Sequence, residues 1–236
     1  MNNDCLLCIF NYFTIKEIYS ALFVCQQFNS ITNAELLWKH LFNIKFNQIT
    51  VHNNYKVKYK QFKKLDVFME EFYGQNVNDV YNLPNLTLYD STPSFIPSEI
   101  GLLTNLQHLE LSGNYFQSVI PGIGLLTQLQ KLGLHNNNLK SVPDEIGQLT
   151  QLRILNLGNN RLEFLSSKIG QLTKLEYFYL YDNKLQFLPL EIGKLTKLQE
   201  LNLSGNQLQF LPIEIKQLKG CTIRHDILRK NKNTIL

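Results

Sequence analysis

LQELNLSGNQLQFLPIEI, residues 198–215, is the cleanest copy of a unit that recurs along more than half of the chain. Copies begin at Leu83, Leu106, Leu129, Leu152, Leu175 and Leu198, 23 residues apart, on the pattern L-x-x-L-x-L-x-x-N-x-L-x-x-L-P-x-x-I-G-x-L-T-x. A period of roughly 20–50 residues marks a solenoid, in which each unit buries its apolar face only against its neighbours. The residues three and five after the first Leu alternate with polar ones, a period of two that makes a short strand with one buried face. Such strands stack in parallel. The Asn eight residues in recurs as Asn114, Asn137, Asn160, Asn183 and Asn206, with Ser91 in its place in the first copy. Its amide can satisfy backbone groups where the chain leaves the strand. The I-G-x-L-T leg supplies apolar contacts on the convex side, where Phe95, Phe164, Phe187 and Phe210 recur at one position and are expected to stack and seal it. Proline slips by one at Ile120-Pro121 and is replaced by Ser166, departures expected to alter only convex turns.

Over residues 83–220 the pattern resembles the leucine-rich repeat family, in its 23-residue P-x-x-I-G-x-L-T class. The resemblance implies an α/β solenoid, right-handed, with a parallel concave sheet. Solenoid ends expose raw core and need caps. Residues 66–82 are expected to close the front and 221–236 the back, with Cys221 in the first apolar slot of a degenerate seventh unit.

Composition sets outer bounds. The 236 residues are 44% hydrophobic and 18% charged, enough to bury a core and unlike a disordered chain. A net charge of +4 is far below what a dedicated nucleic-acid binder concentrates in a stripe, so no nucleic acid is expected. Four scattered cysteines do not make a disulfide scaffold and favour free thiols in a reducing compartment. No apolar run reaches the length of a membrane span, and MNNDCLLCIF carries no basic leader, so a cytoplasmic location is expected.

Residues 1–42 do not repeat. Their apolar residues fall at helical spacing: Leu6, Ile9, Phe10 and Phe13, then Ile15, Ile18, Leu22 and Cys25. MNNDCLLCIFNYF aligns without a gap to L-P-x-E-I-L-x-x-I-F-x-Y-L, ALFVCQQFNSI to L-x-x-V-C-+-x-W-x-x-L, and AELLWKHLF to D-x-x-L-W-K-x-L. These three blocks resemble the F-box. Trp38, the only tryptophan, stands where that family keeps one, whereas Asn2 replaces its proline and Phe28 its Trp or Arg. FNIKFN and NNYKVKYKQFKK continue the similarity to about residue 64. The organisation read from the chain is therefore 1–42 F-box, 43–82 helical linker and front cap, 83–220 repeats and 221–236 back cap and tail. About 40 residues rarely close a core alone. The resemblance implies a Skp-family adaptor covering Leu6, Ile9, Phe10, Phe13, Leu22 and Trp38 and linking them to a cullin-based ubiquitin ligase, with the repeats presenting a target protein.

Catalytic chemistry is not evident. Cys5 and Cys8 form a single C-x-x-C inside the F-box segment, read as packing rather than half a zinc site. No phosphate-binding loop, H-E-x-x-H or G-x-S-x-G occurs, and no cofactor or metal is expected. His108, Glu110 and His135 project from neighbouring strands and are read as solvated, and Lys56, Lys58, Lys60, Lys63 and Lys64 as a solvated helix face.

Side chains two, four and six after each first Leu point off the concave sheet. One strand offers Tyr177, Tyr179 and Tyr181, where the others are mostly polar. Gly133 and Gly158 beside them are expected to leave a shallow recess with a bare Ile154, and with His135 these residues form the expected target-binding patch. Three functions compete: a ligase substrate receptor, a module that binds or sequesters a protein without ubiquitin, and an autonomous ligase. The last needs a catalytic-cysteine domain, for which the 16 residues after Gly220 leave no room. Regular repeats joined to a eukaryotic-type F-box on a chain rich in Asn and Lys also resemble an effector of an intracellular bacterium, acting in host cytoplasm; an amoebal or viral source fits as well.

Overall fold

The computed structural model describes residues 55–73, 75–89 and 96–227, together with Lys39, Asn43, Lys45, Phe46 and Ile49. Leu6, Ile9, Phe10, Phe13, Leu22 and Trp38, like Cys5, Cys8, Cys25, Ser91 and Phe95, lie outside the described residues.

Among the described residues, two helices, α1 (Tyr55–Tyr73) and α2 (Val77–Tyr81), precede seven three-residue strands: β1 Asn85–Thr87, β2 His108–Glu110, β3 Lys131–Gly133, β4 Ile154–Asn156, β5 Tyr177–Tyr179, β6 Glu200–Asn202 and β7 Thr222–Arg224. They form one parallel sheet in sequence order. From β1 to β6 the register joins residues 23 apart, so that Asn85, His108, Lys131, Ile154, Tyr177 and Glu200 make one row across the sheet. The next row inward is Leu86, Leu109, Leu132, Leu155, Phe178 and Leu201, all buried. β7 pairs with Glu200 already at Thr222, one residue early. Cys221 still packs against the core, so the last unit loses its residue between Cys221 and the strand.

β2 to β6 are each followed by a turn that a left-handed residue makes possible. Gly113, Asn136, Asn159, Asp182 and Gly205 occupy the same place in five successive units, all with φ between 51° and 72°. Glycine reaches this region freely, and Asn and Asp tolerate it better than other side chains. The next residue is the repeating Asn. Asn160 Nδ2 donates to the Leu157 carbonyl in its own unit (3.0 Å) and to Leu134 in the preceding one (2.9 Å), while its Oδ1 accepts from Leu139 N (3.0 Å). Asn137 and Asn183 repeat the arrangement, so the turns are tied into a continuous ladder. Asn160→Ala strands an amide and weakens two carbonyls in a buried turn. It is expected to cost about 2–3 kcal/mol, read as a lower denaturant midpoint at unchanged slope.

The return legs are 3-10 helices: Ser98–Leu102, Pro121–Leu125, Asp144–Gln148, Ser167–Gln171, Leu190–Lys194 and Ile213–Gln217. The two proline departures leave them intact. Pro121 takes the first helical position, and Ser166 caps the fourth helix by accepting from Lys168 N (3.1 Å). The glycine of each I-G pair lets the next helix approach: a Cβ at Gly147 would stand 2.8 Å from the Lys168 carbonyl, and one at Gly193 2.7 Å from that of Glu214. In the sixth unit Lys216 holds this position, and no further 3-10 helix follows among the described residues.

The phenylalanine column does not seal the convex side. Phe164, Phe187 and Phe210 are 51%, 52% and 63% exposed. The side chain just after each, Leu165, Leu188 or Leu211, turns inward instead. Ser118 and Ser141 occupy the same place in two other units, so the turn does not need a ring there.

The front cap is aromatic. Phe46, Tyr59, Phe62, Leu65, Met69, Val77 and Val80 are buried, with ring centroids 5.6 Å apart for Phe46–Tyr59 and 5.5 Å for Phe62–Tyr81. Asp66, only 2% exposed, pairs with Lys45 Nζ at 2.9 Å and accepts from Val77 N at 2.9 Å. Its hydrogen bond holds the Lys45 ammonium above its ordinary pKa, against the opposing pull of burial. Asn78 adds a bond from Nδ2 to the Lys45 carbonyl (2.8 Å), and Asn76 caps α2 by accepting from Asp79 N (3.1 Å). The cap thus includes Lys45, Phe46 and Ile49 along with residues of 66–82. Lys64 pairs with Glu99 on the first 3-10 helix (3.0 Å), so one of the helix lysines ties the cap to the repeats.

Candidate functional site on the concave sheet

Tyr177, Tyr179, Ile154 and His135 come together as expected. With Glu110, Lys131 and Asn156 they line one recess of about 360 Å³ that spans β2 to β5. Tyr181 does not join it. Its ring lies over Gly158, where a Cβ would stand 2.3 Å from the ring carbons. Gly133 is likewise occupied from above, by the Glu110 carboxylate, 1.8 Å from the place of a Cβ. The two glycines therefore seat neighbouring side chains and do not themselves form the hollow. Glu110 was not foreseen as part of the patch, although the glycine across from it in register is the sequence signal.

Tyr177 and Tyr179 are half-buried, and their hydroxyls reach toward β6. Tyr177 donates its hydroxyl to Gln199 Oε1 at 2.8 Å, and Tyr179 directs its own to Glu200 Oε2 at 3.5 Å. Burial first, then the Glu200 carboxylate, raises the Tyr179 phenol above its ordinary pKa, so it stays neutral at physiological pH. Glu200 is held from its other side by Arg224 at 3.1 Å. On the opposite wall Glu110 faces Lys131 Nζ and His135 Nδ1, each at 3.8 Å. One side of the recess is thus aromatic and aliphatic, and the other ionic, the combination found where proteins grip a partner's side chain.

No group of three or more His, Cys, Asp or Glu able to hold a metal occurs among the described residues, and none of their helices is long and apolar enough to cross a membrane. His108 stands exposed in the row with Lys131 and does not line the recess. Cys221 is half-buried, and burial raises its thiol pKa.

Comparison with known proteins agrees with the solenoid fold. Residues 117–205 match the family described as a leucine-rich repeat region, and 105–126 and 197–218 match single leucine-rich repeats. Residues 3–44 match the F-box-like family. No curated protein matches the chain. Among solved structures, a leucine-rich-repeat protein of Leptospira interrogans is 40% identical over 61% of this chain and 37% of its own, with a TM-score of 0.59. A TDR receptor is 28% identical over 62% of this chain and 27% of its own (TM-score 0.53). The functional domain of InlJ from Listeria monocytogenes, 22% identical over 65% of this chain and 32% of its own (TM-score 0.54), shares the fold. The chain spans about a third of the length of these structures. It carries an F-box-like segment at its N-terminal end, followed by leucine-rich repeats folded as a solenoid.

Proposed function

We propose that this chain is the substrate-recognition subunit of a Skp-cullin-F-box ubiquitin ligase. The F-box segment docks a Skp-family adaptor through Leu6, Ile9, Phe10, Phe13, Leu22 and Trp38, and the concave sheet holds a target protein at Tyr177, Tyr179, Ile154 and His135, with Tyr181 at its margin. Ubiquitin transfer then gains from proximity rather than from any residue here. The observation that carries this reading is the junction. The F-box-like match ends at residue 44; Phe46 and Ile49 are buried in the core of the repeat cap, and Lys45 pairs with its buried Asp66. A junction fixed by packed rings and by a half-exposed lysine paired with a buried aspartate favours holding a bound target at a set distance from the adaptor. The setting is cytoplasmic, that of a host cell if the protein is a secreted effector.

The test is capture of the full chain from a cell extract, read for adaptor and cullin together. Recovery of both is expected; recovery of neither supports the second reading, a module that sequesters a protein without ubiquitin. No side chain here supplies transfer chemistry in this account. The purified chain is accordingly expected to form no thioester with ubiquitin, and a thiol-sensitive adduct on Cys5, Cys8, Cys25 or Cys221 would contradict it.

A further inference from the structure

Glu110 and His135 stand out within the recess. Glu110 Oε1 and His135 Nδ1 are both shut off from solvent, lie 3.8 Å apart and have no hydrogen-bond partner among the described residues. Glu110 Oε2 has Lys131 Nζ at 3.8 Å, too long for a hydrogen bond. The carboxylate is pressed onto the sheet over Gly133, a place only the missing Cβ leaves open. A carboxylate oxygen taken out of water with no donor within hydrogen-bond distance is costly. The Glu110 carboxylate therefore lacks close donors. Its other wall presents Ile154 and the rings of Tyr177 and Tyr179, whose hydroxyls are turned toward Gln199 and Glu200.

We propose that this recess receives an arginine side chain of the target, with its guanidinium on Glu110 and its stem against Ile154 and the two tyrosine rings. Each part of the chemistry selects it. Arginine carries five donors in a flat fork, which suits a carboxylate that has no donor within hydrogen-bond distance. Its methylenes suit the aliphatic wall, and a cation beside tyrosine rings is attracted to their faces. A carboxylate or phosphate would meet Glu110 and gain only Lys131. That lysine is nearly half exposed and held only at 3.8 Å, so it can swing out as the guanidinium enters. A neutral donor would satisfy the carboxylate's acceptors but add nothing to match its charge.

The inference rests on the concave face being the target surface. It is tested with the full chain by titrating N-acetyl-arginine amide while following the Ile154 methyl and His135 ring signals by NMR. Saturating shifts are expected. The neutral isostere N-acetyl-citrulline amide, and Glu110→Gln with the arginine amide, should each bind about tenfold more weakly. Lys131→Ala, which removes the competing ammonium, should bind the arginine amide at least as well as the unaltered chain, and it decides the matter if Glu110→Gln does not fold. Equal binding of citrulline amide, equal binding by folded Glu110→Gln, loss of binding in folded Lys131→Ala, or no saturating shift up to about 50 mM would each overturn the proposal. Adaptor capture is measured separately, so a failure here and a failure of the ligase reading are told apart.

Discussion

Phe178→Ala is expected to lower the stability of the solenoid by about 3–5 kcal/mol, the largest folding effect of any single substitution considered. Phe178 is fully buried in the centre of β5, in register between Leu155 and Leu201, and successive units offer no loose segment to close over the space left behind. In a solenoid the loss also weakens both interfaces of the unit. Chemical denaturation of the purified chain measures it as a shift in midpoint. Tyr179→Ala, one residue along and on the other face, is the paired control. It removes a half-buried ring whose only polar contact is long, so stability should change by less than about 1 kcal/mol. Capture of the target should instead fall by about 2 kcal/mol, roughly thirtyfold. If folded Tyr179→Ala captures the target as well as the unaltered chain does, the recess is not the contact.

The largest binding effect is expected at the other end. Replacing Ile9 and Phe10 together with Ala removes two anchors of the proposed adaptor face, each contributing about 2 kcal/mol or more. The double variant should therefore bind adaptor on the order of a thousandfold more weakly. The repeats should unfold at the same denaturant concentration as before, because their core from Leu86 to Leu218 is sealed by α1, α2 and Phe46. Adaptor binding and target capture are in this way separable by mutation.

Most of the solenoid was legible because its determinants are local and repeated. The strand rows, the asparagine ladder and the tolerance of the turns at Pro121 and Ser166 follow from position within a 23-residue unit. Two further signals were equally present and were passed over: the Gly, Asn or Asp before each ladder asparagine, and Lys216 in place of the I-G glycine. Phe164, Phe187 and Phe210 misled because a recurring apolar residue reads as core, whereas the neighbouring leucine takes the inward place. Within the 43–82 linker and cap, no periodicity announces that Phe46 and Lys45 meet Tyr59, Phe62 and Asp66.

The recess was half legible. Alternation places Tyr177, Tyr179, Ile154 and His135 on one face, and the register then sets them side by side. What alternation cannot give is side-chain direction: Tyr181 folding over Gly158, Glu110 over Gly133, and the tyrosine hydroxyls leaning to β6. Those directions turn an expected aromatic strip into an aromatic wall facing a carboxylate.

Binding of the purified full chain to a purified Skp-family adaptor, measured by calorimetry alongside the Ile9→Ala/Phe10→Ala variant, tests the central claim most directly. The account predicts a one-to-one complex for the unaltered chain, and no measurable heat for a variant whose repeats unfold normally. Absence of binding by the unaltered chain, or equal binding by the variant, would contradict it.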